Sequence, residues 1–313
     1  MEVYDITANA KVNIFLRICG KLPNGYHRLY TVMQEVDIAD EVTVSIDDTR
    51  EAGIEVICEG LEGTDQKKNL CYKAADRFYA NYHNKLVEEG FRNKIRFPYT
   101  EISLKKTIPF QAGMGGGSSD AAAVLLVLQE HFNEPFSEEE LNRIAVNIGA
   151  DVPFFLYGGT CLCEGVGEEI TRLEGAARWP MLIVKPPVGV STPRSFAQVD
   201  KMEIPPVDTK AYEQMYYELL SAGEDHDRVS DVLKKHKSLF VNDLQLPGIE
   251  EVPVISGIIS SLDDEGSMLS LMTGSGSAVF GIFKTEEEAK KASLNMSEDP
   301  LFKDCQFIVT KML

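Results

Sequence analysis

A two-domain α+β fold is what this sequence predicts, on three observations. Its 313 residues, 44% of them hydrophobic, are enough for a sizeable core, and that length suggests two domains rather than one. The early part of the chain alternates β-branched and aromatic residues with polar ones, the pattern of an antiparallel sheet. Strands run together with helices between them in the later part, as in an α+β layer covering one face of a sheet.

In order along the chain, residues 3–19 read as extended, through Val12, Ile14, Phe15 and Ile18. Lys11 lies in this run between Ala10 and Val12, and composition alone points its side chain to solvent. Pro23-Asn24-Gly25 then supplies a turn that ends by presenting Tyr26 and His27, for partial packing or for a ligand. Residues 29–38, 41–46 and 53–59 read as three further strands. A helix over 69–82 is capped by Asn69 and turns Cys71, Ala74, Ala75 and Phe78 inward. Strands at 95–97 and 101–106 lead to Lys105 and Lys106, two candidate cations.

Ser137-Glu138-Glu139-Glu140 is a capping-box start for a helix running to Ile148 and stopped by Gly149. Asp151 follows, set between that glycine and the apolar segment opened by Val152-Pro153, either as the cap of the next turn or as a held carboxylate. Strands are expected at 160–164 and 168–173. A boundary near 175–180 divides the chain into domains 1–176 and 177–313. Beyond it come a strand at 181–184, helices at 209–221 and 228–237, and strands at 268–272, 277–283 and 305–309. Thr285-Glu286-Glu287-Glu288 opens another helix. Thr273-Gly274-Ser275-Gly276-Ser277 is either a hairpin turn or a second phosphate contact.

Composition narrows the function classes. A formal charge of −18 argues against a nucleic-acid partner, which would need clustered Lys and Arg to neutralise phosphates. No run of about 18 apolar residues is present and the N-terminus lacks the basic start and apolar core of a signal peptide, so no membrane partner and a cytoplasmic location are expected. The six cysteines (Cys19, Cys58, Cys71, Cys161, Cys163, Cys305) form no CxxC pair, which suits a reducing compartment. Cys161 and Cys163 share one strand face and read as buried rather than metal-binding. Monomer and homodimer both stay open.

The richest stretch is Ile108-Pro109-Phe110-Gln111-Ala112-Gly113-Met114-Gly115-Gly116-Gly117-Ser118-Ser119-Asp120, followed by Ala121-Ala122-Ala123-Val124. Its glycines allow positive φ and close backbone approach, and the helix it feeds adds unpaired N–H groups and the positive end of its dipole. Such a construction binds anions, phosphate above all. It is not a P-loop, because no Lys-Ser or Lys-Thr follows the last glycine. Nor does it open a Rossmann unit, since no strand with an acidic residue follows at the required distance.

The extended form Pro-x-x-x-Gly-Met-Gly-Gly-Gly-Ser-Ser-Asp-Ala-Ala resembles the phosphate loop of the GHMP kinases. Ala-Lys-Val-Asn at 10–13, Gly-Ala-Asp-Val-Pro-Phe-Phe at 149–155 and Thr-Gly-Ser-Gly-Ser at 273–277 occur in that family's order. Pro-Asn-Gly-Tyr-His at 23–27, Asn-Leu-Cys-Tyr-Lys-Ala-Ala at 69–75 and Val-Ser-Thr-Pro-Arg-Ser-Phe at 190–196 narrow the resemblance. They are similar to the branch that phosphorylates 4-diphosphocytidyl-2-C-methyl-D-erythritol in non-mevalonate isoprenoid biosynthesis. The match runs from about residue 8 to 283. Asn9 stands where the family usually has Pro, and Met114 where it usually has Leu, a near-volume match.

The resemblance implies an N-terminal domain of the ribosomal-S5-domain-2 type, a ferredoxin-like C-terminal domain, and ATP-dependent transfer to the substrate's 2-hydroxyl. It carries catalytic roles to Lys11 and Asp151. ATP binding falls to Asn69, Lys106, Pro109, Gly113, Met114, Gly115, Gly116, Gly117, Ser118 and Ser119. Asn13, Tyr26, His27, Asp151, Thr192 and Phe196 would hold the small-molecule substrate, with Tyr26, His27 and Phe196 on the cytosine. Mg²⁺ is expected with ATP, its ligands open among Ser118, Ser119 and Asp120. The alternatives are a GHMP kinase for homoserine, mevalonate or a sugar, and a non-catalytic ATP-binding sensor of the same fold.

Overall fold

A computed structural model describes residues 1–59, 65–91, 96–174, 178–223 and 225–313. Along the chain come β1 (Glu2–Lys21), β2 (His27–Asp47), β3 (Gly53–Cys58), α1 (Leu70–Glu88), β4 (Tyr99–Lys105), α2 (Gly116–His131), α3 (Glu138–Val146) and α4 (Val152–Tyr157). Then follow β5 (Thr160–Gly165), β6 (Glu169–Arg172), β7 (Pro180–Lys185), α5 (Thr192–Val199), α6 (Thr209–Ala222), α7 (His226–Lys235), α8 (Gln245–Glu251) and α9 (Val254–Asp264). The chain ends with β8 (Leu269–Met272), β9 (Val279–Ile282), α10 (Glu286–Glu298) and β10 (Gln306–Lys311).

The chain forms two compact units, one of Met1–Ala10, Ile38–Ile108 and Gly115–Tyr157, the other of Lys11–Asp37, Pro109–Met114 and Gly158–Leu313. Both β1 and β2 continue from one unit into the other, so compactness does not follow a single cut along the chain. The expected boundary at 176–177 falls outside the described residues.

In the first unit, β4 pairs antiparallel with residues 41–47 of β2 and parallel with β3. α1 packs on β3 and on α2, and α2 packs on α4. Asn69 caps α1, its side chain accepting from Cys71 N at 2.8 Å. Ser137 and Glu140 form the expected capping box of α3. α2 is apolar almost all round, with Ala121, Ala122, Ala123, Val124 and Leu125 buried, because neighbours cover it on several sides.

In the second unit, β5 pairs antiparallel with residues 29–34 of β2 and with β6. A separate antiparallel sheet has the order β10-β7-β9-β8. Numbered within that sheet the order is 4-1-3-2, with helices between its first and second and its third and fourth strands, which is the ferredoxin-like arrangement. Its core gathers Leu182, Val184, Ile255, Ile258, Leu262, Val279, Phe283 and Ala292. Cys161 and Cys163 are buried, as their shared strand face requires, and all six cysteines are free thiols.

Four expectations need correction. Residues 29–38 and 41–46 are one strand, β2, because Asp40 holds an inward position in the alternation Ile38, Asp40, Val42, Val44, Ile46 and is fully buried there. Lys11 is 2% exposed rather than solvent-facing. Arg96 and Phe97 are not strand, and Ile95 lies outside the described residues; the Phe97 ring packs on Tyr79 with centroids 4.9 Å apart. The helices α4, α5, α8 and α9 were not foreseen, although Pro193 in the first turn of α5 is a start signal.

Candidate active site

Within the second unit, the side chain of Lys11 converges with the first half of the glycine loop. Its Nζ donates to Gly113 O at 2.8 Å and to Asn13 Oδ1 at 2.6 Å, while its backbone N donates to Met114 O at 3.0 Å. Asn13 is itself fully buried and passes the network on, donating from Nδ2 to Thr31 Oγ1 at 2.9 Å. A buried ammonium needs oxygen partners of this kind, because desolvation would otherwise expel or neutralise it.

The turn 273–277 backs the same loop. Ser277 N and Ala278 N donate to Gln111 O and Ala112 O, and Thr273 Oγ1 receives Asn13 N at 3.0 Å. Gly113 has φ +75°, and a Cβ built on it would meet Thr273 O at 2.2 Å. Only glycine fits there. Asn242 holds the turn from behind, donating to Met272 O and Gly274 O at 2.7 Å each. The hairpin reading of this turn holds, since it joins the antiparallel strands β8 and β9 with Thr273 N donating to Ala278 O, and the same turn backs the glycine loop.

In the first unit, Gly115 is the N-cap of α2 at φ 74°, with no side chain capping the helix. Ser118 N and Ser119 N donate to Gly115 O, and no side chain caps the N–H groups of Gly116 and Gly117 at the positive end of the helix dipole, an arrangement that can bind an anion. Gly116 and Gly117 open the helix, Ser118 is half-buried and Ser119 is buried. Asp151 directly precedes α4, and a Cβ on the nearby Gly149 would lie 3.7 Å from Ser118 Oγ. The packing of α4 on α2 thus brings the Asp151 segment to the starting turn of α2. Asn69 is half-buried at the start of α1.

Lys106 is less available than its place before the loop suggested. Its Nζ bonds both Asp40 Oδ2 and Asp120 Oδ2. Asp40 Oδ1 also accepts from Ile108 N at 2.8 Å and from Thr107 N. Burial pushes the Asp120 carboxyl up to about 7, against the pull of Lys106 and helped by the charge of Asp40. Lys105 pairs with Glu41 on the surface.

A third cluster, in the second unit, joins the β1–β2 turn to α5. The rings of His27 and Phe196 stack with centroids 4.8 Å apart at 22°. His27 Nε2 lies 2.8 Å from Asp200 Oδ1, and Lys21 pairs with the other oxygen of Asp200. Both bonds hold the Asp200 carboxyl below the usual range. Tyr26 is 61% exposed. Thr192 Oγ1 lies 2.6 Å from Ser275 Oγ, on the turn that backs the loop. A cavity of about 860 Å³ is lined by Lys21, His27, Arg28 and Asp200 among others, within the size range of small-molecule sites.

The model of the GHMP kinases N terminal domain matches residues 69–159 and that of the GHMP kinases C terminal domain matches 215–300. A 4-diphosphocytidyl-2-C-methyl-D-erythritol kinase of Desulfitobacterium hafniense is 37% identical over 92% of this chain and 89% of its own length. The enzyme of that name from Geobacter metallireducens is 36% identical over 95% of each. The chain belongs to the GHMP kinase family. Among solved structures, a 4-(cytidine 5'-diphospho)-2C-methyl-D-erythritol kinase superposes on this GHMP kinase with a TM-score of 0.72 at 27% identity, covering 99% of both chains. A homoserine kinase from Cytophaga hutchinsonii superposes at 0.68 with 20% identity, which speaks for the fold alone.

Several residues of this GHMP kinase that shape the site escaped the sequence reading. Thr31 and Asn242 act by side-chain bonds across long sequence separations, and no local pattern marks them. Asp40 carried a signal in its inward place within an apolar alternation, where a carboxylate must find a partner. Asp200 follows Phe196 by one helical turn, a spacing that puts both on one face of α5.

Proposed function

We propose that this GHMP kinase transfers the γ-phosphoryl group of ATP to the 2-hydroxyl of 4-diphosphocytidyl-2-C-methyl-D-erythritol. The observation that carries it is the identity of 33–37%, over 92–95% of the chain, to proteins bearing that activity in their names. The divided site agrees with it: a glycine loop with an uncapped helix start for phosphates, and a separate ring cluster suited to a nucleobase. Domains 1–176 and 177–313 belong with this reading, as does a cytoplasmic setting; among the described residues no helix is long and apolar enough to cross a membrane.

Phosphoryl transfer asks for positioning and charge stabilisation, since its transition state is loose. Backbone N–H groups of Gly115 to Gly117 hold the ATP phosphates, with Pro109, Gly113 and Met114 shaping the loop and the Ser118 and Ser119 side chains alongside, their own N–H groups donating to Gly115 O. Asn69 lies towards adenosine, and Lys106 acts from its ion pairs. Asp151 accepts the proton of the acceptor hydroxyl, a tertiary alcohol with a pKa far above neutral; such a base contributes about 10²–10⁴-fold. Lys11, oriented by Asn13 and Gly113, polarises that hydroxyl and draws the γ-phosphoryl group. Magnesium would accompany ATP and offset phosphate charge, with the half-buried Ser118 hydroxyl as the donor that would hold it, since Ser119 and Asp120 are both buried.

The base falls to Tyr26, His27 and Phe196, with Thr192 alongside. Asp200 engages His27 Nε2, which leaves Nδ1 for the base edge; as an acceptor it would match the 4-amino group of cytosine and not the 4-carbonyl of uracil. A coupled assay of ADP release over a panel of acceptors tests the function. The cytidyl compound is expected to be turned over, with homoserine and mevalonate at least about a hundredfold poorer in kcat/KM, as expected when buried polar groups lose their partners. Turnover of homoserine or mevalonate at the same kcat/KM would reject the assignment, and ATP binding without turnover of any acceptor would favour a sensor.

A further inference from the structure

We propose that Asp40 and Asp120, bridged by Lys106, form a clamp that closes the base of the glycine loop and sets its geometry for ATP, with Asp40 as the principal positioning residue. The geometry is specific. Asp40 lies on β2, where the alternation calls for an apolar side chain, and it is 0% exposed. Its Oδ1 takes the N–H groups of Thr107 and Ile108, the last two residues before the loop. Its Oδ2 takes Lys106 Nζ, and Lys106 reaches on to Asp120 Oδ2 in the starting turns of α2. The entry and the exit of residues 109–119 are thereby tied to one carboxylate.

The packing inside the clamp leaves little slack. A Cβ on Gly116 would lie 3.0 Å from Ile108 Cγ2 and 3.5 Å from Asp40 Oδ2, so the helix start rests directly on the clamped entry segment. Burying two carboxylates against one ammonium costs free energy that an apolar triad would not. Asp120 Oδ1 even lacks a hydrogen-bond partner among the described residues. The cost is explained if the three groups fix a backbone geometry that apolar side chains, which offer no acceptor to Thr107 and Ile108, would leave loose. Neither aspartate touches the nucleotide on this account, and Lys106 serves it from within the clamp.

This inference rests on the kinase reading, and its test separates the two. The affinity of a non-hydrolysable ATP analogue is measured by calorimetry, with KM for each substrate alongside, well below the melting temperature of every variant. Asp40→Asn is expected to weaken the analogue and raise KM for ATP about tenfold, the loss of a charged hydrogen bond, with KM for the acceptor within about twofold. Asp120→Ala is expected to do the same, and Asp120→Asn, whose amide oxygen still accepts from Lys106, to restore ATP affinity to within about threefold. If Asp40→Asn does not fold, the Asp120 pair decides. Variants that lower the melting temperature yet bind the analogue as the unaltered protein does would overturn the clamp. An unaltered protein that fails to bind the analogue would overturn the kinase reading instead.

Discussion

Two charged side chains carry the proposed chemistry, and the structure alters what each one means. A lysine on a strand is usually a solvated surface residue, but Lys11 is buried and bonded to the carbonyl of Gly113, so its place is tied to the phosphate loop itself. Nothing local in Ala10-Lys11-Val12 reveals this; only the order of family motifs did. Asp151 read locally as either the cap of the next turn or a held carboxylate; it lies directly before the Val152–Tyr157 helix, and Gly149 approaches Ser118 at the start of α2. Asp151→Asn is therefore expected to keep ATP affinity while kcat falls by at least about a hundredfold, since it removes the base and leaves the loop intact. Steady-state kinetics beside calorimetric ATP binding checks this. A kcat near that of the unaltered protein would make Asp151 a turn residue.

At the scale of elements, helix starts were the most legible feature, because caps are local. Asn69 on α1, Ser137 on α3 and Thr285 on α10 all act as their sequences indicate. Strand ends were less so: β2 runs through Asp40 because distant partners satisfy that carboxylate, and no window of neighbouring residues contains them. The turn 273–277 likewise gained its role only through partners far away in sequence. Its contact with the glycine loop makes a sharp prediction. Gly113→Ala places a methyl group against Thr273 O at positive φ, a strain of about 1–3 kcal/mol. Either the turn or the loop must move, and ATP affinity is expected to fall at least about tenfold, in line with that strain. Titration of the variant with the ATP analogue decides, and unchanged affinity with only a lower melting temperature would reduce Gly113 to a packing position.

Across the whole molecule, composition and the run of strands and helices pointed to the α+β class, whereas the ferredoxin-like 4-1-3-2 order of the C-terminal sheet was expected from the family resemblance. The division into compact units was not legible, because β1 and β2 each contribute to both and the chain enters the second unit for the short stretch Pro109–Met114 before returning to it at Gly158. On the proposed reading, specificity for a cytidine-linked acceptor rests on Tyr26 and His27 from the β1–β2 turn with Phe196 and Asp200 from α5 and its end, all within the second unit. The measurement that tests it most directly is kcat/KM for the cytidine diphosphate-linked substrate against its uridine counterpart at saturating ATP. The account predicts a preference for cytidine of at least about tenfold, because uracil would set a carbonyl against the His27 acceptor and leave both unsatisfied. Equal kcat/KM for the two, or equal use of methylerythritol phosphate without any nucleotide, would contradict it.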